Sequence, residues 1–278
     1  MTTTFSRKNT TSILYQAMAI LVGLVVILPI IYCALISFMP ANQILQRPPR
    51  LIPKTWILKN YVMAISLTTL PRFMLNSLII ATISSIVRVI TSAMAGYAFA
   101  FYKFKGRTFL FYLFMGTIMI PSDVVLITNY QTVSSFGLIN TYLGMMIIFL
   151  CSATHVFLMR QYFLTFSISL KEAAVIDGSS NLRFFLQILI PLSTPVMTTV
   201  FISSFIGVWN TYLWPMLVTN DNLMRTVQVG VTMLNFPDGV VYGPVMAASM
   251  WVLLPTLIIA LAFEEKIVGG NKGGSVKG

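Results

Sequence analysis

The chain has 278 residues, 57% of them hydrophobic and 9% charged, with a net charge of +11 and a mean hydropathy of +0.85. A soluble domain carries roughly a quarter charged residues, so water is excluded as the main solvent. The basic excess gathers in particular loops and reads as orientation in a membrane, not as nucleic-acid binding.

Six apolar segments are long enough to cross a bilayer as helices, which takes about 20 residues each: 13–38, 73–102, 108–131, 140–163, 188–214 and 242–263. Lipid cannot satisfy free backbone groups, so the expected fold is all-α integral membrane. The first segment follows Arg7 and Lys8 but runs well past the roughly 7–15 residues of a signal-peptide core, and reads as an anchor. With the N-terminus in the cytoplasm, eleven Lys and Arg fall inside and six outside, the bias being sharpest at Lys103-Phe104-Lys105-Gly106-Arg107. The expected organisation is a cytoplasmic segment 1–12, a first helix 13–38, an extracytoplasmic loop 39–72, a transmembrane domain 73–263 with a cytoplasmic loop at 164–187, and a cytoplasmic tail 264–278. Cys33 and Cys151 lie inside predicted spans and read as small buried apolar residues.

In the first loop, Pro48, Pro49, Pro53 and Pro71 break long elements, and Trp56 to Leu67 suggests a short interfacial helix. The second span gathers Ser84, Ser85, Arg88, Thr91, Ser92 and Gly96 on one face, which lets helices approach closely. Arg88, near the bilayer centre, either lines a path for an anionic or hydroxyl-rich solute or pairs within the bundle, with Asp123 as partner. Pro121 permits a kink in the third span, and Asp123 beyond it is a solute contact or a structural partner. His155, the single histidine, has no second ligand-type residue near it in sequence, so no metal site is expected. Asn140 reads as an N-cap for the fourth span. Trp209 and Asn210, near the outer end of the fifth, either stack on and hydrogen-bond a sugar or belong to an interfacial aromatic belt.

The cytoplasmic loop has its own grammar. Ser169 and Glu172 stand at capping-box spacing, which predicts a helix starting at about Leu170. Leu170, Ala173, Ala174 and Asp177 share one side of it. Gly178 is free to take positive φ and turn the chain, Ser179 or Ser180 caps the next helix, and Phe184 and Phe185 need a cover.

These residues carry a resemblance. Glu172-Ala173-Ala174, Gly178, Ile188 and Pro191 fall at the spacing of the EAA loop of ABC importer permeases, with Ile190 where that family usually has Leu. Ser167 and Ser169 depart from the Pro and acidic residue frequent there. Met119-Ile120-Pro121 is similar to a frequent family feature. Phe136 to Thr141, Trp209-Asn210 through Trp214-Pro215, and the Gly-rich tail 264–278 resemble carbohydrate permeases, a group that includes oligosaccharide and glycerol phosphate importers.

The resemblance implies a five-helix importer core behind an extra first helix, in a bacterial cytoplasmic membrane with both termini inside. It implies that Glu172, Ala173, Ala174, Asp177, Gly178, Ile188 and Pro191 couple the bundle to a separate ATPase, present in two copies, which binds ATP and Mg. A second, non-identical permease and an extracytoplasmic solute-binding protein complete the expected assembly; this chain needs no cofactor and no nucleic acid. The chain has no Gly-x-x-x-x-Gly-Lys-Ser/Thr loop of its own, so it is not expected to be an enzyme. A secondary transporter or channel driven by an ion gradient is the alternative, but it calls for several intramembrane carboxylates or histidines. An intramembrane enzyme would need a nucleophile with a base, or a carboxylate cluster.

Overall fold

The computed structural model describes residues 4–67, 69–236, 239–240 and 242–263. The tail 264–278, with its resemblance to carbohydrate permeases, lies outside them. The described residues form helices joined by turns and loops, with one two-residue antiparallel ladder, Asn235–Phe236 with Gly239–Val240. The described residues divide into two units, 4–70 with 231–254 and 71–230 with 255–263.

The first unit opens with the helix Thr4–Ser37, whose side chains Leu21, Leu24, Val25 and Leu28 are all exposed. An apolar helix that its own chain does not cover has lipid or protein as its solvent. At its end Asn60 closes the loop, donating from Nδ2 to the carbonyls of Ser37 at 2.9 Å and Met39 at 2.8 Å. Phe38 packs between the rings of Trp56 and Tyr61. Of the stretch Trp56 to Leu67, where a short helix is expected, Lys59–Leu67 is helical and Trp56 precedes it.

The second unit is organised around the helix Leu70–Phe101, called the central helix below. Its small-residue face does what such faces do in membranes. A Cβ on Gly96 would lie 2.8 Å from the Met159 Cβ, so the helix Ala153–Phe163 comes within backbone reach only because Gly96 has no side chain. One core cluster joins Val89, Ala93 and Tyr97 of the central helix to Met159, Phe163, Phe184, Phe185, Leu189 and Val200.

The spans are less uniform than hydropathy suggests. Among the described residues three helices are continuous and apolar enough to cross a membrane, Tyr15–Ser37, Leu70–Phe101 and Tyr242–Ala262. Two more candidates are broken: Tyr142–Phe149 with Ala153–Phe163, bent by 50°, and Asn181–Leu192 with Thr194–Trp209, bent by 76°. The segment expected as a third span, 108–131, is instead helix Arg107–Gly116 with a 3-10 turn Thr117–Met119, then a turn through Pro121, then Leu126–Ser135. Pro121 has no N–H to continue a helix and biases Ile120 to extended backbone, where its ψ of 115° places it. The same chemistry acts in the fifth span. Pro191 follows a π-helical stretch Phe184–Leu189, and Ser193 and Pro195 mark the bend.

Candidate functional site

The loop between the fourth and fifth spans forms a helix Ile168–Ile176, followed by Gly178 at φ +78°. The expected glycine turn is therefore present, and open space surrounds the position where a Cβ would sit. Its beginning differs from expectation. Ser169 is not the N-cap: Ser167 holds that position, neither serine caps through its side chain, and their hydroxyls bond each other at 2.5 Å. The Ser169 hydroxyl is thus turned to Ser167 and the capping box does not form. At the second helix Ser180 caps as expected, its Oγ accepting from the Arg183 amide at 3.2 Å.

The two alanines do not share an outward surface. Ala174 is buried in the core cluster, with Leu170 packed beside it, whereas Glu172, Ala173, Asp177 and Gly178 are exposed. Successive helical positions are about 100° apart, so adjacent residues take different faces. The outward face also carries Ile168, 71% exposed, Val175, and Ile176, 85% exposed.

Behind this helix is a joint to the central helix. Tyr97 stacks on Phe185 with centroids 4.9 Å apart, its hydroxyl donates to the Asn181 carbonyl at 3.2 Å, and Phe101 meets Phe184 edge-on at 5.7 Å. The Lys171 ammonium lies over the Tyr102 ring at 4.7 Å and over Tyr97 and Phe101 at 5.7 Å, a cation–π arrangement. Ile188 and Pro191 follow within the same helical stretch, Ile188 packed against that core.

Arg88 and Asp123 are not brought together. Arg88 is buried in the middle of the central helix, and its Nε donates to the Phe149 carbonyl at 2.5 Å. Asp123 is exposed in the turn after Pro121. The bundle pairing considered from sequence is replaced by a bond to backbone, because the fourth span breaks at Phe149 and frees carbonyls there. Thr91 takes the next one, Leu150, at 2.8 Å. Cys151, expected to be buried, is exposed at this break. His155 Nε2 and the Ser203 hydroxyl are 2.9 Å apart.

Trp209 is 2% exposed and stacks on Phe205 with planes 12° apart at 5.8 Å. In this conformation its ring offers no open face to a sugar. Asn210 is exposed and accepts from Gln228 at 3.4 Å. Trp214 donates from its indole to the Met145 carbonyl at 3.2 Å, joining the end of this motif to the fourth span.

Sequence reasoning missed two asparagine clamps. Asn76 donates to the carbonyls of Leu223 and Arg225 and accepts from the Tyr142 hydroxyl. Asn140 is not an N-cap, since Thr141 caps the following helix by accepting from Gly144. Instead Asn140 takes φ 57° and its Oδ1 accepts from the amides of Asn220 and Asp221. An Asn just before a cap is a fair signal for the left-handed region, but its distant partners leave no local trace.

Known proteins resemble the chain as a whole. Residues 89–264 match the family described as "Binding-protein-dependent transport system inner membrane component". Similar curated proteins include the sn-glycerol-3-phosphate transport system permease protein UgpE of Brucella abortus (strain 2308), 32% identical over 261 residues that make up 90% of this chain and 93% of that protein. The protein of the same name from Rhizobium meliloti is 31% identical, over 95% of this chain and 97% of its own length. Among solved structures, a chain of a bacterial ABC transporter involved in the import of the acidic polysaccharide alginate superposes with a TM-score of 0.83. It covers 93% of this chain and 97% of its own, at 21% identity, a likeness of fold.

Proposed function

Because the chain belongs to the family of binding-protein-dependent transport system inner membrane components, the permease subunits of ABC importers, we propose that it carries a carbohydrate or polyol phosphate inward by alternating access. On this reading six spanning segments place both termini and the loop 164–187 in the cytoplasm. The domain limits drawn from the sequence apply, with the first helix 13–38 added to a core at 73–263. Two ATPase subunits, holding ATP and Mg, dock on the loop; a second, non-identical permease completes the pathway, and a binding protein delivers solute outside. The names of the relatives support a glycerol phosphate as cargo, and the carbohydrate-type motifs support the wider class.

The observation that carries the reading is the build of the loop. Its outward face carries Glu172 and Ala173 among bare apolar side chains, Ile168, Val175 and Ile176. Apolar residues exposed this far on a loop between spans call for a protein cover. Its inward face is bolted by Tyr97, Phe184 and Phe185 to the central helix. A push on the loop is thereby delivered to a helix that runs through the bundle. Asp177 and Gly178 set the exit from the loop helix, and Ile188 and Pro191 carry it into the fifth span. Arg88, Asp123, Trp209 and Asn210 are the proposed contacts along the path, with Trp209 requiring a second conformation to present its ring.

The test is ATP-driven uptake by the assembled importer in liposomes. Glu172→Ala is expected to leave solute binding to the binding protein unchanged and to lower the solute moved per ATP hydrolysed at least tenfold. Unchanged coupling in that variant would remove the loop from the mechanism.

A further inference from the structure

We propose that the break in the fourth span is an anion subsite on the solute path, which takes the phosphate group of a polyol phosphate. The inference rests on the permease reading and narrows its substrate class.

The first observation is a charge without a counter-charge. Arg88 is 9% exposed near the middle of the central helix, and among the described residues it makes no ion pair. A guanidinium has five N–H donors, and Nε is the one the Phe149 carbonyl engages. An ionised side chain at membrane depth is costly unless something pairs with it, and such residues mark solute or ion pathways.

The second observation is the break itself. Leu150-Cys151-Ser152 contains neither Gly nor Pro, yet the helix stops, with Ser152 extended at φ −151° and ψ 124°. Arg88 and Thr91 hold the carbonyl side of the break at Phe149 and Leu150. The amide side is the start of the helix Ala153–Phe163, and Ser152 makes no side-chain cap there. First-turn N–H groups have no partner within their own helix, and that end of the dipole is positive.

The third observation is His155 in that first turn. Its Nε2 meets Ser203, while Nδ1 is enclosed with no hydrogen-bond partner, and the ring lies within electrostatic range of Arg88. Cys151, also within that range, is exposed, so the break opens to the surface. A guanidinium with spare donors, an uncapped helix start and an unused histidine nitrogen meet at one discontinuity in the bundle. Discontinuous helices whose N-termini face anionic groups are a recurrent way of binding solute at membrane depth, and Arg matches the geometry of phosphate oxygens. A neutral sugar would also want acceptors, and no carboxylate of the described residues bonds at this break.

The experiment uses the complete importer with its binding protein and ATPase in phosphatidylcholine liposomes, and measures ATP-driven uptake of sn-glycerol 3-phosphate and of maltose. Wild type is expected to move the phosphate compound in preference. Arg88→Gln should cut that uptake at least tenfold while ATP hydrolysis stimulated by the loaded binding protein persists. If Arg88→Gln does not assemble, Arg88→Lys decides: it keeps the charge without the fork, and KM for the phosphate compound should rise about threefold with kcat held. An unchanged KM in Arg88→Lys, full uptake in Arg88→Gln, or a wild-type preference for maltose overturns the subsite. So does an effect of Arg88→Gln that appears only when anionic phospholipid is added, since a lipid phosphate would then be the ligand. Absence of ATP-driven uptake of either solute by wild type strikes the importer reading itself.

Discussion

The ring of Tyr97 stacks on that of Phe185 with centroids 4.9 Å apart and planes 28° from parallel, which joins the end of the central helix directly to the start of the fifth span. The Tyr97 hydroxyl adds a bond to the Asn181 carbonyl, just past the glycine turn. Removing the ring should loosen both the fold and the transmission. Tyr97→Ala is expected to cost about 3 kcal/mol, typical of a large core aromatic, visible as a lowered unfolding midpoint in detergent. Tyr97→Phe keeps the stack and loses the hydroxyl bond, worth about 1 kcal/mol, and should retain most of the uptake per ATP. Equal loss in both variants would show that the hydroxyl, not the stack, is the joint.

Ile176 is 85% exposed on the loop helix, and an ATPase groove is the cover proposed for it. Ile176→Asp places a charge where an apolar contact is expected. If the side chain is an anchor, affinity for the ATPase should fall by about 2 kcal/mol or more, a factor of roughly 30, with the permease's own melting unchanged. Native affinity in a pull-down titration would exclude this face from the interface.

Asn140 does two jobs that separate substitutions pull apart. Its backbone sits at φ 57° and its Oδ1 accepts two amides, from Asn220 and Asp221. Asn140→Gly preserves the conformation and drops the acceptor; Asn140→Asp preserves both. Thermal unfolding should rank Asp close to wild type, Gly lower by about 1–2 kcal/mol for two lost bonds, and Ala lowest, adding the left-handed penalty of roughly 1 kcal/mol. Ala more stable than Gly would mean that the backbone conformation is not held in solution.

The elements legible in the sequence are those whose cause is local. The turn at Gly178, the Ser180 cap and the need to cover Phe184 and Phe185 all follow from residues within a few positions of one another. The break at Leu150-Cys151-Ser152 is not legible locally because it contains neither Gly nor Pro; the carbonyls it frees are taken by Arg88 and Thr91, about sixty residues away in sequence. For the same reason the sequence offers Arg88 a solute or Asp123, a carboxylate within an expected span, when its bond in the structure is to a backbone oxygen. Sequence leaves Trp209 open to sugar or lipid because it does not show that Phe205, one turn earlier, lies flat against it. The loop helix begins at Ile168, two residues before the start that a Ser169 cap implies, since two nearby serines satisfy each other as readily as either caps.

Gly178 allows the coupling proposal to be tested without disturbing packing. No atom lies within 4 Å of a Cβ built there, so the φ of +78° is the constraint on substitution. Asn visits the left-handed region more readily than other residues with a side chain, and β-branched residues least. Gly178→Asn should therefore keep the turn and most of the uptake per ATP. Gly178→Val should strain the turn by roughly 1–2 kcal/mol, re-aim the loop helix on its ATPase, and lower that ratio several-fold with the permease still folded. Gly178→Asp adds a negative charge beside the exposed Asp177 and sits between them: it fits the backbone nearly as well as Asn, so any greater loss than Asn reports on the docked surface. Measured side by side, the series separates the turn from the contact. Equal uptake per ATP in all three variants would mean that the turn does not set the position of the loop helix, and the loop would lose its proposed role as the transmitting part.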